Sequence, residues 1–446
     1  MILSRYTFLF TDDNDCYLYN SLYNSLILLD QETYDTLSHF QDTKETIHRS
    51  LFNEGTYNFL TENNLLVDNW DDEILKYRSV IQDIREQREV MNLTIAPTMD
   101  CNFNCFYCFE RNRSPKYMDE TTIVSIVEYV CSFPSIKQLS LTWFGGEPLM
   151  AKEQMRQFYS ILRERYKGNI SSRIITNGYF IDDDAIELFK TLNISSVQIT
   201  LDGASKTHNS IKFCHGCSDA FGTTIQNALR LVEKLPEAHV AFRVNITKQN
   251  AGEFISLFHI LYNCFGTKNF SVSPAIVKYQ GHEKLDTTTY FTHKEYADYI
   301  LSLFNKHNIH TPLIMYPKDN LCECTIRDKI SVAFDPDGYA YKCWERIGDT
   351  ASAIGKVNSD GSLVKINSKE LNRDLYGADP LCSPVCSKCK YLPLCDGGCP
   401  IDRIKNEYEG CHRELCSFYK GRIPEFMKAH LLLKQKGICN RLKDVE

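Results

Sequence analysis

The sequence lacks several features that would place the chain in a membrane or on nucleic acid. It has no apolar stretch of about 18 residues, the length that a transmembrane helix needs. Its first residues lack the apolar run and the small-residue cleavage site of a signal peptide. Its 50 Lys and Arg residues are outnumbered by 57 Asp and Glu, and the net charge of −7 leaves no basic excess for nucleic acid. These absences predict a soluble, cytoplasmic protein with no nucleic-acid or membrane partner.

Cysteine, by contrast, is abundant, with 19 among 446 residues. Because the cytosol keeps thiols reduced, such a pattern indicates metal or catalytic sites rather than disulfides. Cys214 and Cys217 form a C-x2-C pair that is a redox pair, a substrate-facing thiol or incidental. The other scattered cysteines fit small buried apolar side chains. Twelve cysteines fall into two groups: a first of Cys101, Cys105 and Cys108, and a second of Cys322, Cys324, Cys343, Cys382, Cys386, Cys389, Cys395, Cys399 and Cys416.

The first group has a C-x3-C-x2-C spacing. Three thiolates in so short a run can hold three corners of a four-iron cubane cluster and leave one iron open for a small chelating molecule. Electron-transfer clusters ordinarily take four cysteines, so three indicate chemistry at the cluster. A zinc site, the main alternative beside buried thiols, ordinarily has four ligands, and no fourth Cys or His lies near this run.

Between residues 93 and 276 the sequence alternates strand-like and helix-like segments. This alternation predicts parallel strands joined by helical crossovers. Six units suit a partial (β/α)6 TIM-like barrel with its site at the carboxyl ends of the strands, and a doubly wound sheet is the competing α/β architecture. The predicted strands are 93–97, 138–144, 172–176, 196–201, 240–247 and 270–275; the predicted helices include 150–166, 185–192, 224–235 and 253–265.

The two flanks differ from this middle part. Residues 1–90 combine short strands at 6–10, 16–19, 25–29 and 65–67 with helices at 44–52 and 55–63, the order of a small winged-helix-like module, followed by a charged linker helix over 73–90. Residues 311–446 are rich in Gly, Pro and Cys, as expected where metal clusters replace a hydrophobic core, and end in a helix over about 423–436. Three domains follow: 1–90, 91–310 and 311–446.

The chain resembles the radical S-adenosylmethionine (SAM) superfamily. The first cysteine group matches that family's cluster motif, with Tyr107 as the aromatic before the third cysteine, and the run from Gly145 through Glu147 to Pro148 matches its Gly-Gly-Glu-Pro motif. The resemblance implies that S-adenosyl-L-methionine chelates the open iron of a [4Fe-4S] cluster and is cleaved to a 5′-deoxyadenosyl radical. No catalytic acid or base is predicted. Cofactor contacts are expected from Tyr107, Gly145, Gly146, Glu147, Thr176, Asn177, Thr200, Asp202 and Arg243, with Lys212 in place of a usual Arg.

The second cysteine group resembles the SPASM domain, which holds two auxiliary [4Fe-4S] clusters. The resemblance implies one cluster on Cys324, Cys343 and Cys399, whose fourth position is taken by Cys322, by Cys382 or by no cysteine, which leaves an open iron. It implies another on Cys386, Cys389, Cys395 and Cys416, for which Cys411 is the alternative to Cys416. Three clusters are therefore expected in all. A zinc ribbon, the alternative, needs only four of these ligands.

Many SPASM enzymes modify peptides or proteins. Where sulfatase-maturing members carry Asp after the cysteine matching Cys343, this chain has Trp344, with Glu345 one residue further on. The expected function is therefore maturation of a ribosomal peptide by a thioether or carbon–carbon crosslink, with residues 1–90 binding the precursor's leader as an added strand. The alternative role of residues 1–90 is a structural cap on the barrel. A flavodoxin or ferredoxin would supply electrons. The alternatives are an anaerobic sulfatase maturase that forms formylglycine and an iron–sulfur electron carrier or scaffold.

Overall fold

The structure is a computed structural model that describes residues 1–110, 114–213, 219–281, 283–317 and 324–436. Cys214, Cys217 and Cys322 lie outside the described residues. The strands are β1 (Ile2–Leu3), β2 (Thr7–Asp12), β3 (Asp15–Asn20), β4 (Ser25–Leu29), β5 (Leu66–Val67), β6 (Val90–Ile95), β7 (Gln138–Trp143), β8 (Asn169–Thr176), β9 (Ile194–Leu201), β10 (His239–Ile246), β11 (Phe270–Ile276), β12 (Val332–Phe334), β13 (Tyr339–Tyr341), β14 (Gly355–Val357) and β15 (Leu363–Val364).

The helices connect these strands and cover them. They are α1 (Gln31–Phe40), α2 (Glu54–Glu62), α3 (Trp70–Glu86), α4 (Glu120–Cys131), α5 (Lys152–Arg165), α6 (Asp183–Thr191), α7 (Ser205–Ile211), α8 (Ala220–Lys234), α9 (Phe254–Phe265), α10 (His293–His307), α11 (Pro312–Met315), α12 (Ser368–Tyr376), α13 (Leu392–Cys395), α14 (Pro400–Tyr408) and α15 (Ile423–Gln435). None of the helices described is long and apolar enough to cross a membrane.

The largest sheet contains ten of the described strands, in the order β11-β10-β9-β8-β7-β6-β12-β13-β14-β15. Strands β6 to β11 are parallel and lie side by side in chain order. A doubly wound sheet reverses its strand order at a switch point, and this run has no reversal. The order fits the predicted partial barrel, and the doubly wound alternative is wrong.

Local sequence explains the crossover helices. In α5 the buried side chains Met155, Phe158, Tyr159 and Leu162 recur at helical spacing and pack into the core. Asp119 and Asp182 cap the N-termini of α4 and α6 by accepting bonds from backbone N–H groups of the first turn. The six predicted barrel strands lie within three residues of the observed ones. This agreement is expected because buried parallel strands are short apolar runs between turns.

The N-terminal part contains a three-stranded antiparallel sheet, β2-β3-β4, beside helices α1 to α3. The predicted helix over residues 44–52 is wrong, because only Arg49–Leu51 forms a 3-10 turn there. The backbone N–H of Ile47 donates instead to the Met1 carbonyl at 2.8 Å. Helix α1 was not predicted, although Asp30 is a clear N-cap that accepts a bond from the Thr33 N–H.

The cysteine-rich part is joined to both other parts. Its strand β12 pairs in parallel with β6 and so extends the barrel sheet. The N-terminal part lies on its turns, where Arg5 donates to the Ser387 carbonyl at 3.1 Å and the Ser21 hydroxyl donates to the Lys390 carbonyl at 2.7 Å. Arg85 of α3 pairs with Asp379 at 2.6 Å. The domain boundaries at 90/91 and 310/311 stay predictions.

Candidate active site at the carboxyl ends of the barrel strands

The first cysteine group lies at a cavity of about 330 Å³ at the carboxyl ends of the barrel strands. Each wall comes from a segment at or just after a different strand end, because parallel strands present these ends at one edge. Most of the residues expected from the sequence meet here: Cys101, Cys105, Cys108, Tyr107, Gly145, Gly146, Thr176, Asn177, Thr200 and Arg243 line the cavity. Glu147 and Asp202 lie behind this lining, fully buried.

The two glycines after β7 allow the cysteine loop to lie directly on this strand end. A Cβ on Gly145 would lie 2.4 Å from the Thr98 carbonyl oxygen, and one on Gly146 would lie 2.1 Å from that of Asp100. Real Cβ atoms do not approach so closely. Glycine is therefore required here by the backbone just before Cys101, whose position depends on this contact.

The Glu147 carboxylate binds the neighbouring strand end. It accepts bonds from the Thr176 hydroxyl at 2.7 Å, the Asn177 N–H at 2.8 Å and the Leu149 N–H at 3.0 Å. These bonds satisfy a fully buried carboxylate whose pKa is raised by burial. The contacts hold the ends of β7 and β8 together, and a direct contact of Glu147 with the cofactor stays a prediction.

A series of polar side chains in contact with one another crosses the floor of the cavity. The Tyr107 hydroxyl donates to Asp202 at 2.5 Å and accepts a bond from Asn245 at 3.1 Å. Lys212 is buried with its Nζ 3.6 Å from Asp202. Arg243 donates to Asn245 at 3.2 Å. These polar contacts connect the cysteine loop to β9 and β10, and they place two cations, Lys212 and Arg243, on the cavity wall.

His208 lies behind the same floor. It is fully buried and its Nδ1 accepts a bond from the Asp202 N–H at 3.4 Å. Burial, together with Lys212, lowers its pKa to about 3 from an ordinary 6.5. The unfolded state therefore binds the proton first as the pH falls.

We expect the free energy of unfolding to be reduced below pH 6.5, by up to about 1.4 kcal/mol per pH unit from this group. The stability that neutral His208 contributes to the free energy of unfolding is fully present above pH 6.5 and is lost as the pH falls toward 3. Anaerobic denaturant unfolding at pH 7.5 and 5.5 measures it. His208→Asn should flatten the dependence, whereas His39→Asn, a change at an exposed helical position, should not. A His208→Asn variant with the wild-type slope would contradict this assignment.

The second cysteine group divides in space into two sets. Burial raises the pKa of the Cys343 thiol, and so do the nearby thiols of Cys324 and Cys399. Burial likewise raises the pKa of Cys395 to about 11, with Cys389, Cys386 and Cys416 among the causes. Within each set the pKa of one thiol is thus raised by the others, and the interleaved ligand order expected from the sequence stays a prediction. Cys382 has an exposed thiol on a 3-10 turn, and Cys411 is buried.

Both sets border a second cavity, of about 680 Å³, beyond the end of β11. Lys278, Arg403 and Lys420 point at sulfur atoms, with donor–sulfur distances of 3.6 Å to Cys399, 3.5 Å to Cys386 and 3.2 Å to Cys416. Such donors stabilise thiolates. Among the described residues, no three Cys, His, Asp or Glu side chains are close enough to hold one metal ion, and the ligand roles stay predictions.

The residues of the first cavity fit a four-iron cluster with S-adenosylmethionine. Three thiols face it, Lys212 and Arg243 can meet a carboxylate, and Thr176, Asn177 and Thr200 can meet hydroxyl groups. The buried Nδ2 of Asn102, between the first two cysteines, has no hydrogen-bond partner among the described residues. Sequence reasoning missed Asn102, Asn245 and the cavity-facing position of Trp344. Asn245 could have been predicted, because it lies two residues after Arg243 and therefore on the same face of the strand.

Comparison with known proteins decides the family. The family model described as Radical SAM superfamily matches residues 95–261. Residues 95–261 therefore form a radical SAM domain. Such a domain implies a radical enzyme that uses S-adenosylmethionine and a [4Fe-4S] cluster, as predicted from the sequence.

The relatives of this chain include a sulfatase-maturating enzyme and a cyclopropyl synthase. It is 25% identical over 376 residues, covering 74% of the chain and 94% of the relative, to a cysteine-type anaerobic sulfatase-maturating enzyme of Clostridium perfringens. It is 23% identical over 287 residues to the radical SAM cyclopropyl synthase TigE of Paramaledivibacter caminithermalis, covering 57% of the chain and 59% of TigE. The chain thus spans less than two thirds of TigE.

Two solved structures share the fold. Native anSMEcpe with bound AdoMet superposes with a TM-score of 0.58 at 20% identity, covering 79% of the chain and all of that structure. Streptococcus suis SuiB bound to S-adenosylmethionine superposes with a TM-score of 0.51 at 16% identity, covering 93% of the chain and 99% of SuiB. The prediction of a radical SAM enzyme related to sulfatase-maturating enzymes is confirmed.

Proposed function

We propose that this radical SAM enzyme modifies a ribosomally made precursor peptide, forming a thioether or carbon–carbon crosslink. One observation carries the proposal: the residue after Cys343 that borders the first cavity is Trp344, an apolar side chain, and not a carboxylic acid. A formylglycine-forming site needs a proton acceptor at the substrate. An apolar wall instead suits a reaction in which the substrate radical is protected from water.

The neighbouring Glu345 is poorly placed to replace such an acceptor. Its two oxygens bind Lys278 at 2.6 Å and Lys405 at 2.9 Å. Lys278 also binds Asp402 at 2.9 Å. Glu345 therefore joins the end of the barrel to α14 as an ion-paired, structural group.

Residues of the chain bind the cofactor and orient the cysteine loop. When bound, the cluster and S-adenosylmethionine supply a 5′-deoxyadenosyl radical. Lys212 and Arg243 offer charge to the cofactor's carboxylate, and the Tyr107–Asp202 bond orients the cysteine loop. Two auxiliary clusters would lie on the two thiol sets, with Cys322 or Cys382 as the fourth ligand of the first. Lys420 beside Cys416 gives that surface positive charge, which suits an acidic electron donor such as flavodoxin or ferredoxin.

The leader of the precursor would bind to β4. This strand pairs with β3 on one side, and Leu28 on it is 62% exposed. An edge strand of this kind can accept an extended peptide as a further strand. Because the N-terminal part also bonds to the turn around Ser387, leader binding would occur beside the second thiol set.

Leu28→Asp should weaken leader binding by about tenfold or more, because a charge replaces an apolar contact at the strand edge. The dissociation constant of a fluorescent leader peptide measures this. Leu75→Asp, at a 56% exposed position on α3, is the matched control and should bind as wild type. Equal affinities of both variants and the wild type would place the leader elsewhere.

The proposed function itself is tested with reconstituted, reduced protein and the short peptides encoded beside it. We expect production of 5′-deoxyadenosine and a peptide that has lost two hydrogens, located by tandem mass spectrometry. Cleavage of S-adenosylmethionine without any change in these peptides would contradict the proposal. The carrier alternative requires that no cleavage occurs at all.

A second candidate is formylglycine formation, which the alignment to 94% of a sulfatase-maturating enzyme favours. A sulfatase-derived Cys peptide distinguishes the two functions, since formylglycine reacts with hydrazide reagents and a crosslinked residue does not.

A further inference from the structure

Trp344 presents an aromatic face inside the first cavity. The side chain is 42% exposed although it lines this cavity together with all three cysteines of the first group. Its ring stacks on Phe144 at a centroid distance of 5.4 Å and an interplanar angle of 26°. Phe144 in turn stacks on Phe109 at 6.1 Å and 14°. These three rings form an ordered wall whose outermost member, Trp344, keeps a large apolar area uncovered.

The charges around this wall restrict what can bind there. The charged residues that line the cavity are Lys212, Arg243, Lys278 and the buried Glu110. Lys212 is paired with Asp202, and Lys278 is paired with Glu345 and Asp402, so Arg243 is the lining cation without a carboxylate partner among the described residues. A tryptophan face can bind either a cation or another aromatic ring. Arg243 repels a Lys or Arg side chain, whereas a neutral ring continues the stack of Phe109, Phe144 and Trp344, so a neutral ring is the better partner.

A third cavity, next to the first one, gives a peptide a route to the wall of three rings. A cavity of about 410 Å³ shares Tyr107, Cys108, Phe109, Lys278 and Gln280 with the first one. Its remaining lining is mostly polar or charged and includes Arg346, Asp349 and Ser352. Polar side chains of this kind can bind a peptide backbone, while a side chain reaches inward past Phe109.

We propose that Trp344 is a specificity-determining residue on which an aromatic side chain of the substrate peptide stacks beside the first cysteine group. The proposal deepens the proposed function, on which it rests, by naming the substrate class: a peptide with an aromatic residue at or next to the modified position. The stack on Phe144 holds Trp344 in place, so little side-chain freedom is lost on binding.

The test measures binding separately from turnover. The probes are blocked glycine pentapeptides whose central residue is Trp, Tyr, Leu or Lys, and equilibrium dialysis against cluster-loaded enzyme with S-adenosylmethionine gives their dissociation constants. We expect the Trp and Tyr peptides to bind about fivefold to tenfold more tightly than the Leu peptide. The Lys peptide should bind most weakly.

Two variants of Trp344 and a control test whether Trp344 causes the preference for aromatic peptides. Trp344→Ala should remove the preference for aromatic peptides and Trp344→Phe should retain most of it. Tyr376→Ala, at a 60% exposed position away from the cavity lining, should keep the wild-type preference. Iron content and circular dichroism show whether each variant is folded and loaded.

The dissociation constant of S-adenosylmethionine should change by no more than about twofold in Trp344→Ala. If Trp344→Ala bound S-adenosylmethionine ten times more weakly and the peptides as tightly as the wild type does, Trp344 would contact the adenine, and the proposal would be overturned. An aromatic preference that survives Trp344→Ala would also overturn it. If aromatic peptides bind as expected but no precursor is modified, the peptide-maturase function fails and the role of Trp344 stands.

Discussion

Replacing Cys105 with alanine should abolish cleavage of S-adenosylmethionine. Cys105 is the middle thiol of the loop at the first cavity, and two thiolates cannot hold a cubane with one open iron. With three clusters of four irons, the iron content should fall from about twelve to about eight per chain. Anaerobic iron analysis and chromatography of 5′-deoxyadenosine measure the two effects. A Cys105→Ala variant that still forms 5′-deoxyadenosine would show that the first cysteine group does not do this chemistry.

Two further variants make this result specific. Cys343→Ala should lose a similar amount of iron from an auxiliary site and still cleave S-adenosylmethionine, because Cys343 is grouped with Cys324 and Cys399. Cys264→Ala, at an exposed helical position, should match the wild type in both measurements. If Cys343→Ala abolished cleavage as completely as Cys105→Ala, the division into separate sites would be contradicted.

Gly146→Ala should also remove most activity, although it changes no thiol and no hydrogen-bonding group. The added Cβ would lie 2.1 Å from the Asp100 carbonyl oxygen and must push the cysteine loop away from the end of β7. We expect the free energy of unfolding to fall by about 1–3 kcal/mol. The first cluster should be lost selectively, as seen in the electron paramagnetic resonance signal of reduced enzyme with and without S-adenosylmethionine.

The matched control is Gly252→Ala. Gly252 lies in the 3-10 turn Ala251–Glu253, and a Cβ there meets no atom within 4 Å. This variant should retain wild-type stability, iron content and cleavage. Equal behaviour of the two alanine variants would mean that the contact between Gly146 and the loop is unimportant for the cluster.

The barrel and its cavity could be foreseen because their signals are local. Each strand is a short apolar run between turns, and the motif residues follow strand ends, which parallel pairing brings to one edge. The N-terminal part was harder. Residues 44–52 have helical composition, yet the Ile47 N–H pairs with Met1, a contact that sequence periodicity cannot reveal. Tertiary pairing overrode a weak local preference there.

The sequence alone indicates radical SAM chemistry, because three cysteines in one short run and a glycine pair after the next strand match that family's motifs. The surroundings of the radical, in contrast, depend on contacts between distant segments. Trp344 stacks on Phe144, 200 positions earlier, because β12 pairs with β6 and carries the cysteine-rich part to the barrel mouth. The enclosure of Glu147 by Thr176 and Asn177 likewise depends on neighbouring strand ends. Such contacts arise from packing between distant segments, which residue spacing along the chain does not encode.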